Sequence, residues 1–309
     1  MPLSLATPDP DRIDDIDLKR ALVFGASGQL GDAMLPLLRA AHCDVLAVSR
    51  QQRAGSDGVR WIVGALDDSM AAPTDCDVVF SLGPLDAFAR WQERVGPVAP
   101  RVIAFGSTSI ATKNTSNDPA ERDVAERLRK AEETLFAFGA RHRVGVTVLR
   151  PTLVYGRGRD RTLSRIAAFA QRKGVFALPA NATGLRQPVH ADDLAKAAMA
   201  AANAAQSAGR AYDVPGGETL RFDDMVARTL AVLHPRPRLL RLPTPLFRAA
   251  VASARALGMI GAIDAGGLSR AMLDRLDVDL VFDAADAHRD FGYAPRGFAP
   301  DAAMFMPPR

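Results

Sequence analysis

The chain has 309 residues, of which 48% are hydrophobic and 24% are charged, with a formal net charge of +4; this suits one large domain or a main domain with a smaller lobe. No run of about 18 apolar residues predicts a membrane span, and the scattered arginines without interleaved aromatic residues are not typical of a nucleic-acid surface. Two cysteines have neither the number of a disulfide scaffold nor metal-ligand spacing, so we expect no metal and a cytoplasmic location. Residues 1–18 are polar and lack the apolar core of a signal peptide, which predicts a flexible N-terminal tail.

The first predicted strand, at residues 21–24, leads directly into three glycines at positions 25, 28 and 31. A backbone that turns sharply at Gly25, approaches a pyrophosphate at Gly28 and packs helix against strand at Gly31 leaves no room for side chains there. The helix expected from about Gln29 directs its free amide groups and positive dipole end toward the bound anion. This segment predicts a site for a dinucleotide phosphate.

A second strand is predicted at residues 44–48, about twenty residues after the glycines, as a βαβ mononucleotide unit requires. It argues against the alternative that the glycines only cap a helix. Ser49 and Arg50 follow this strand at the place where an acid would bind the ribose of NAD. A guanidinium there, with Arg53 nearby, suits the 2′-phosphate of NADP, so we predict NADP and consider NAD the weaker candidate. A solvated loop arginine is the competing interpretation.

Further short apolar runs at 59–64, 77–82, 101–106 and 145–150 alternate with helical segments. They predict an α/β fold with a doubly wound parallel sheet of the Rossmann type. We expect the Rossmann domain over residues 19–155, with added segments around 186–215, and a smaller C-terminal substrate lobe over 156–309. Ligands of such sheets bind beyond the carboxyl ends of the strands, which here are residues 64–68, 81–84, 107–109 and 151–153.

Four short segments resemble the extended or atypical branch of the short-chain dehydrogenase/reductase superfamily, which contains NAD(P)-dependent epimerases and dehydratases of nucleotide sugars. They are GASGQLG at 25–31, LRPTLVYG at 149–156, RQPVHADDLA at 186–195 and AYDVPGGE at 211–218. They occur in the family's order, and the resemblance covers about residues 19–295. With the strand ends, they predict a cofactor site formed by Gly25, Ala26, Ser27, Gly28, Gln29, Leu30, Gly31, Ser49, Arg50, Arg53, Leu66, Leu82, Gly83, Pro84, Ser107 and Pro151.

The catalytic residues of the family are only partly present. Active members carry a Ser or Thr after the fifth strand and a Tyr-x-x-x-Lys pair on the next helix, where the lysine lowers the pKa of the tyrosine. Ser107 fills the first position. The helix predicted from residue 118 to about 139 contains no tyrosine. If Glu132 matches the family's acidic position after the lysine, Val124 and Leu128 stand at the Tyr and Lys positions.

A second alignment places Lys130 on the lysine position, and Glu126 then replaces the tyrosine. The apolar positions of the helix step by 4, 3, 4 and 3, which predicts a buried stripe without Lys130. We therefore expect Glu126 and Lys130 to form an exposed i,i+4 ion pair. The stripe consists of Val124, Leu128, Ala131, Leu135 and Phe138.

Other residues supply candidates for catalysis and substrate binding. Lys113, six residues after Ser107, is the candidate acid or base in place of the tyrosine, with a surface loop lysine as the alternative. The family resemblance places Arg186 near a substrate diphosphate, for which a guanidinium is well suited, although a structural role is equally open. Thr108 and Arg157, at the same face, complete the expected substrate site.

The segment that follows Arg186 contains His190 and two aspartates. By the resemblance, an aspartate caps the next helix and His190 packs at the junction with the lobe, since no second histidine lies at metal-ligand spacing. We therefore expect a structural histidine.

Two functions stay open. The first is an NADP-dependent oxidoreductase or epimerase acting on a nucleotide-sugar-like or other anionic carbonyl compound, with Ser107 polarising the oxygen. The second is a catalytically inactive NADP(H)-binding sensor or accessory protein, which the missing tyrosine favours. The expected partners are an anionic small molecule and a second copy of the chain in a homodimer, with no nucleic acid and no membrane.

Overall fold

Seven parallel strands form the central sheet of the protein, for which a computed structural model describes residues 18–66, 70, 73, 75–256, 273 and 275–306. Of the tail predicted for residues 1–18, residues 1–17 lie outside the described residues, as do the strand-end residues 67–68; Leu18 is described and is buried. The strands of the sheet are β1 Arg20–Phe24, β2 Asp44–Ser49, β3 Val59–Val63, β4 Val78–Ser81, β5 Arg101–Phe105, β6 Gly145–Pro151 and β11 Arg210–Val214.

The strand order is β11-β6-β5-β4-β1-β2-β3, so the chain reverses direction across the sheet between β1 and β4. In the register, Val23 of β1 lies beside Ala47 of β2 and Phe80 of β4. This confirms the predicted doubly wound sheet. In such sheets the ligand crevice forms where the strand order reverses, beyond the carboxyl ends of the strands.

Helices cover both faces of the sheet. On one face α1 (Gln29–Ala40) and α6 (Ala191–Asn203) contact each other above the strands. On the other face α2 (Leu85–Val95) packs against α4 (Pro119–His142), and Phe24 of β1 contacts Phe88 and Trp91 of α2. Apolar side chains on both faces are expected for parallel strands buried on both sides. The helices of this domain are α1 Gln29–Ala40, α2 Leu85–Val95, α3 Ser109–Thr112, α4 Pro119–His142 and α6 Ala191–Asn203.

A smaller C-terminal lobe has its own hydrophobic core around Tyr155, Phe222 and Leu276. Its exact division from the Rossmann domain, predicted at residues 155 and 156, stays a prediction. No helix among the described residues is both long and apolar enough to cross a membrane. The remaining elements are β7 Val154–Tyr155, α5 Leu163–Lys173, β8 Val175–Pro179, β9 Leu185–Arg186, β10 Val189–His190, β12 Leu220–Arg221, α7 Phe222–Ala231, β13 Arg238–Leu242, α8 Thr244–Ala256 and α9 Ala285–Phe291, with 3-10 turns at Ala205–Ser207 and Ala302–Phe305.

A buried arginine joins the sheet to the end of α6. The Arg101 guanidinium, 1% exposed, donates to the carbonyl oxygens of Ala201 and Ala204 at 2.7 and 3.1 Å and to that of Gly145 at 2.9 Å. The last carbonyls of a helix have no partner within the helix and form the negative end of its dipole. They therefore stabilise the cation, although burial lowers the pKa of Arg101 to about 10.

Candidate functional site

Gly25 and Gly31 have the turn and the close helix–strand contact that the sequence predicts. Gly25 has φ +72°, and a Cβ there would lie 3.0 Å from the carbonyl carbon of Leu82. The Gly28 amide donates to the Gly25 carbonyl at 2.9 Å, which closes the turn. At Gly31 a Cβ would overlap the carbonyl group of Ala26. A side chain is therefore strained or excluded at the turn and at the contact between α1 and β1.

The start of α1 has the donors that a phosphate requires. Gly28 is the N-cap and offers no side-chain acceptor to the first amides of the helix. The side-chain Nε2 of Gln29 is buried and has no hydrogen-bond partner among the described residues. Ser27 and Leu30 are partly exposed, whereas Ala26 is buried. This backbone cradle and its unpartnered amide fit the pyrophosphate of a dinucleotide.

A first cleft of about 860 Å³ opens at this turn, along the ends of β1 to β4. Its lining contains three arginines, Arg50 after β2 and Arg90 and Arg94 on α2, and no acidic side chain among the described lining residues. Arg90 and Arg94 were not predicted from sequence, although their spacing of four places them on one face of a helix that begins just after a strand end. The predicted cofactor residues in this lining are Gly25, Ser27, Gly28, Ser49, Arg50, Leu66, Leu82, Gly83 and Pro84.

The other seven predicted cofactor residues lie outside this lining: Ala26, Gln29, Leu30 and Gly31 at the glycine turn and the start of α1, Ser107 in a second cleft, and Arg53 and Pro151. Arg53 is exposed and stacks over the Trp61 ring, with its guanidinium carbon 5.2 Å from the ring centroid. Pro151 is buried, and its carbonyl accepts from the amide of Thr108 at 3.2 Å and from the Thr108 hydroxyl at 3.1 Å. Thr108 thus joins the end of β5 to the end of β6.

A second cleft, of about 480 Å³, lies at the ends of β5 and β6. Because β4 and β5 are neighbours in the sheet, this cleft adjoins the first one. Ser107 lines it, and its Oγ accepts from the Ser109 amide at 3.1 Å, so the hydroxyl proton is available to a ligand oxygen. Five cationic residues also line this cleft: Lys113, Arg161, Arg165, Arg186 and Arg275.

A carboxylate holds two of these cations at the wall of the second cleft. Glu121, in the first turn of α4, accepts from Arg275 Nη2 at 2.8 Å and from the Ser116 hydroxyl at 2.7 Å. The Lys113 ammonium lies 3.7 Å from Glu121 Oε1. Burial alone would raise the pKa of Glu121, but the bonds from Arg275 and Ser116 and the charge of Lys113 hold it below its ordinary value. Arg275 was not predicted, because it lies far from Glu121 in sequence and no local pattern marks it.

The predicted substrate arginines have protein partners. Arg186 is buried and donates to the carbonyls of Val278 and Arg275, each at 2.6 Å; burial and then the charge of Arg275 lower its pKa to about 10. It therefore holds the segment 275–278 that forms one wall of the cleft. Arg157 Nε donates to Asp192 at 3.1 Å, outside the lining of either cleft.

Helix α4 has the predicted orientation. Ala131 and Leu135 are buried, and Val124 and Leu128 are half-buried. Lys130 and Glu126 form the expected exposed ion pair, with Nζ 3.2 Å from Oε1. In the alignment that matches Glu132, the residues at the family's Tyr and Lys positions are Val124 and Leu128, which are apolar and, within the described part of the chain, line neither cleft.

His190 is 4% exposed and packs edge-on against the Tyr155 ring. Burial lowers its pKa, and no metal-binding cluster occurs among the residues that the structure describes. The expectation that an aspartate caps α6 is wrong: His190 is the N-cap, and its Nδ1 accepts from the Asp192 amide at 3.1 Å.

Residues 91–214 match the sequence model of the NAD dependent epimerase/dehydratase family. No curated protein matches the chain in sequence. Among solved structures, epimerase Mth375 from Methanothermobacter thermautotrophicus is 14% identical with a TM-score of 0.65, covering 96% of this chain and 92% of its own.

Two further structures contain ligands. MoeE5 in complex with UDP-glucose and NAD is 20% identical, with a TM-score of 0.64 over 91% of this chain and 94% of its own. The UDP-glucuronic acid 4-epimerase from Bacillus cereus, in complex with NAD, is 12% identical, with a TM-score of 0.64 over 89% and 93%. Residues 91–214 thus carry the sequence pattern of the NAD dependent epimerase/dehydratase family, and the chain has the fold of these solved structures.

Proposed function

We propose that the protein is an NADP-dependent oxidoreductase or epimerase that acts on an anionic carbonyl compound of the nucleotide-sugar type. The observation that supports this most is the side-by-side arrangement of the two clefts. One has the glycine cradle and three arginines, and the other has Ser107 and five cations. A dinucleotide bound along the strand ends from β2 toward β5 would place its nicotinamide near Ser107.

The arginines support NADP over NAD. A 2′-phosphate adds about two negative charges at the ribose, and guanidinium groups bind phosphate through paired hydrogen bonds. Arg50 lies at the end of β2, where the ribose of a bound dinucleotide is expected, and the described lining of the first cleft contains no carboxylate that would repel a phosphate.

In the second cleft the chain supplies groups for polarising and protonating an oxygen. Bound NADP supplies or accepts the hydride. Ser107 donates its hydroxyl hydrogen bond to the substrate oxygen, since its own Oγ already accepts from Ser109. The Lys113 ammonium delivers the proton in place of the absent tyrosine, and Glu121 holds it in position. Arg161 and Arg165, the exposed arginines of this cleft, bind the anionic part of the substrate.

Isothermal titration tests cofactor binding and preference. We expect NADP⁺ to bind about tenfold more tightly than NAD⁺, and Arg50→Ala to lose this preference. Arg53→Ala removes the side chain that stacks on Trp61. It distinguishes the contribution of Arg53 to this preference from that of Arg50. Equal affinities for both cofactors in the wild type would overturn the NADP assignment, and no binding of either would overturn the proposed function.

The half-buried Val124 and Leu128 favour a second candidate, an inactive NADP(H)-binding sensor or accessory protein. Turnover separates the two. An enzyme converts a nucleotide sugar or an aldehyde with a change in NADPH absorbance or in sugar configuration, and loses this activity in Ser107→Ala and Lys113→Met. A protein that binds NADPH, converts none of these compounds in either direction and changes its conformation on binding is the sensor.

A further inference from the structure

Arg159 lies on the loop between β7 and α5, and its side chain reaches the glycine turn of the Rossmann domain. Its Nη1 donates to the carbonyl oxygen of Ser27, and its Nη2 lies 3.3 Å from Asp32 Oδ2. Ser27 lines the first cleft, and Asp32 belongs to the first turn of α1. A cation from outside the nucleotide-binding segment therefore lies next to the phosphate cradle.

The charges around the cradle give this cation a role. The three arginines that line the first cleft come from the end of β2 and from α2, whereas the cradle itself is backbone. Asp32 is the charged side chain in the first turn of α1, and its carboxylate would repel a pyrophosphate dianion. Arg159 neutralises this carboxylate and adds positive charge at the same place.

The geometry of the loop keeps Arg159 near the turn. The amide of Gly158, just before it, donates to the Met304 carbonyl at 2.8 Å. Asp160, just after it, accepts from the amides of Thr162 and Ser164, each at 3.0 Å, and so caps α5. The backbone is fixed on both sides, and the side chain is one-third exposed. A rotation of the side chain alone can therefore bring the guanidinium onto a phosphate.

We propose that Arg159 is a ligand of the cofactor pyrophosphate, supplied to the glycine cradle by the loop that enters the C-terminal lobe. This rests on the proposed function, in which the first cleft binds NADP. A guanidinium has five N–H donors in a planar fork that matches two phosphate oxygens. When the cofactor binds, the Arg159 guanidinium leaves the Ser27 carbonyl oxygen and the Asp32 carboxylate and contacts the pyrophosphate dianion instead.

Two probes separate a pyrophosphate contact from a general effect on the cleft. NADPH contains the pyrophosphate, and 2′-AMP contains the adenosine and the 2′-phosphate without it. Dissociation constants come from NADPH fluorescence and from competition by 2′-AMP. We expect Arg159→Ala to weaken NADPH binding about tenfold and to leave 2′-AMP unchanged. Arg159→Lys keeps the positive charge but lacks the planar guanidinium, so we expect its NADPH affinity to lie between those of the wild type and Arg159→Ala.

The control variants define the outcomes. Arg50→Ala is expected to weaken binding of both NADPH and 2′-AMP. Arg172→Ala, a change at an exposed position near the end of α5, is expected to weaken binding of neither. Arg159→Ala with wild-type affinity for NADPH overturns the inference, and so does equal weakening of both probes, since Arg159 then acts only on the shape of the cleft. If the wild type binds neither probe, the proposed function itself fails, which is a different result from loss in Arg159→Ala alone.

Discussion

The two clefts are built in different ways. The first is made largely by the backbone of one short segment, residues 25–31, and by strand ends that follow it. The second is made by charged side chains from segments that are distant in sequence, with Glu121 of α4 bonded to Arg275 and Arg186 bonded to residues 275–278. The difference suggests that cofactor binding depends on steric fit within one βαβ unit, whereas substrate binding depends on long-range charge pairing.

The largest effect is expected at the steric contact in the first cleft. Gly31→Ala places a methyl group onto the Ala26 carbonyl and forces α1 away from β1. We expect a loss of about 3 kcal/mol in the free energy of unfolding, because overpacking at a backbone contact cannot relax locally, together with loss of NADPH binding. Urea unfolding followed by circular dichroism measures the first effect.

Gly83→Ala is the matched control, because a Cβ at Gly83 has no heavy atom within 4 Å. Its unfolding free energy is expected to stay within about 0.5 kcal/mol of the wild type. If the two variants were equally stable, steric fit would not distinguish the first cleft from the second.

A smaller effect is expected for the carboxylate of the second cleft. Glu121→Gln removes the charge that pairs with Arg275 and Lys113, and we expect a loss of about 2 kcal/mol at pH 7. The pKa of Glu121 is lowered from an ordinary 4.5. Its stabilisation is therefore complete above pH 4.5 and is lost as the pH falls through the folded-state pKa.

The free energy of unfolding, measured between pH 7 and pH 3, tests the direction of this pH dependence. The difference in stability between the wild type and Glu121→Gln should shrink as the pH falls below 4.5. The control is Glu133→Gln, an exposed position on the same helix, which should follow the wild type at every pH. A difference that grows on acidification would contradict the ion-pair assignment.

The smallest effect is expected outside both clefts. Lys130 is 71% exposed where it pairs with Glu126, and an exposed pair contributes little because water screens it. Lys130→Ala should change the unfolding free energy by less than about 0.5 kcal/mol and leave any NADPH-dependent turnover intact. Loss of turnover in this variant would instead favour the alignment that places Lys130 on the family's lysine position.

The parts that were predictable from sequence are those governed by local rules. The glycine turn, the strands and the buried face of α4 follow from steric limits and periodicity within a few residues. The pairing of Arg186 with carbonyls of residues 275–278 depends on which segments meet in space. No periodicity encodes such a meeting, so the sequence left Arg186 between two roles. The cap of α6 by His190 is a local contact, but histidine is not among the preferred N-cap residues, so the cap was assigned to an aspartate.

The guanidinium of Arg101 has a consequence for how uniquely the chain folds. Its acceptors include carbonyls at the C-terminal end of α6 and the carbonyl of Gly145, the first residue of β6, and among the described contacts no carboxylate balances its charge. A slip of α6 by one turn would remove the acceptors at the end of α6 from a cation buried in an apolar interior, at a cost of several kcal/mol. Arg101 therefore specifies a single position of α6 on the sheet.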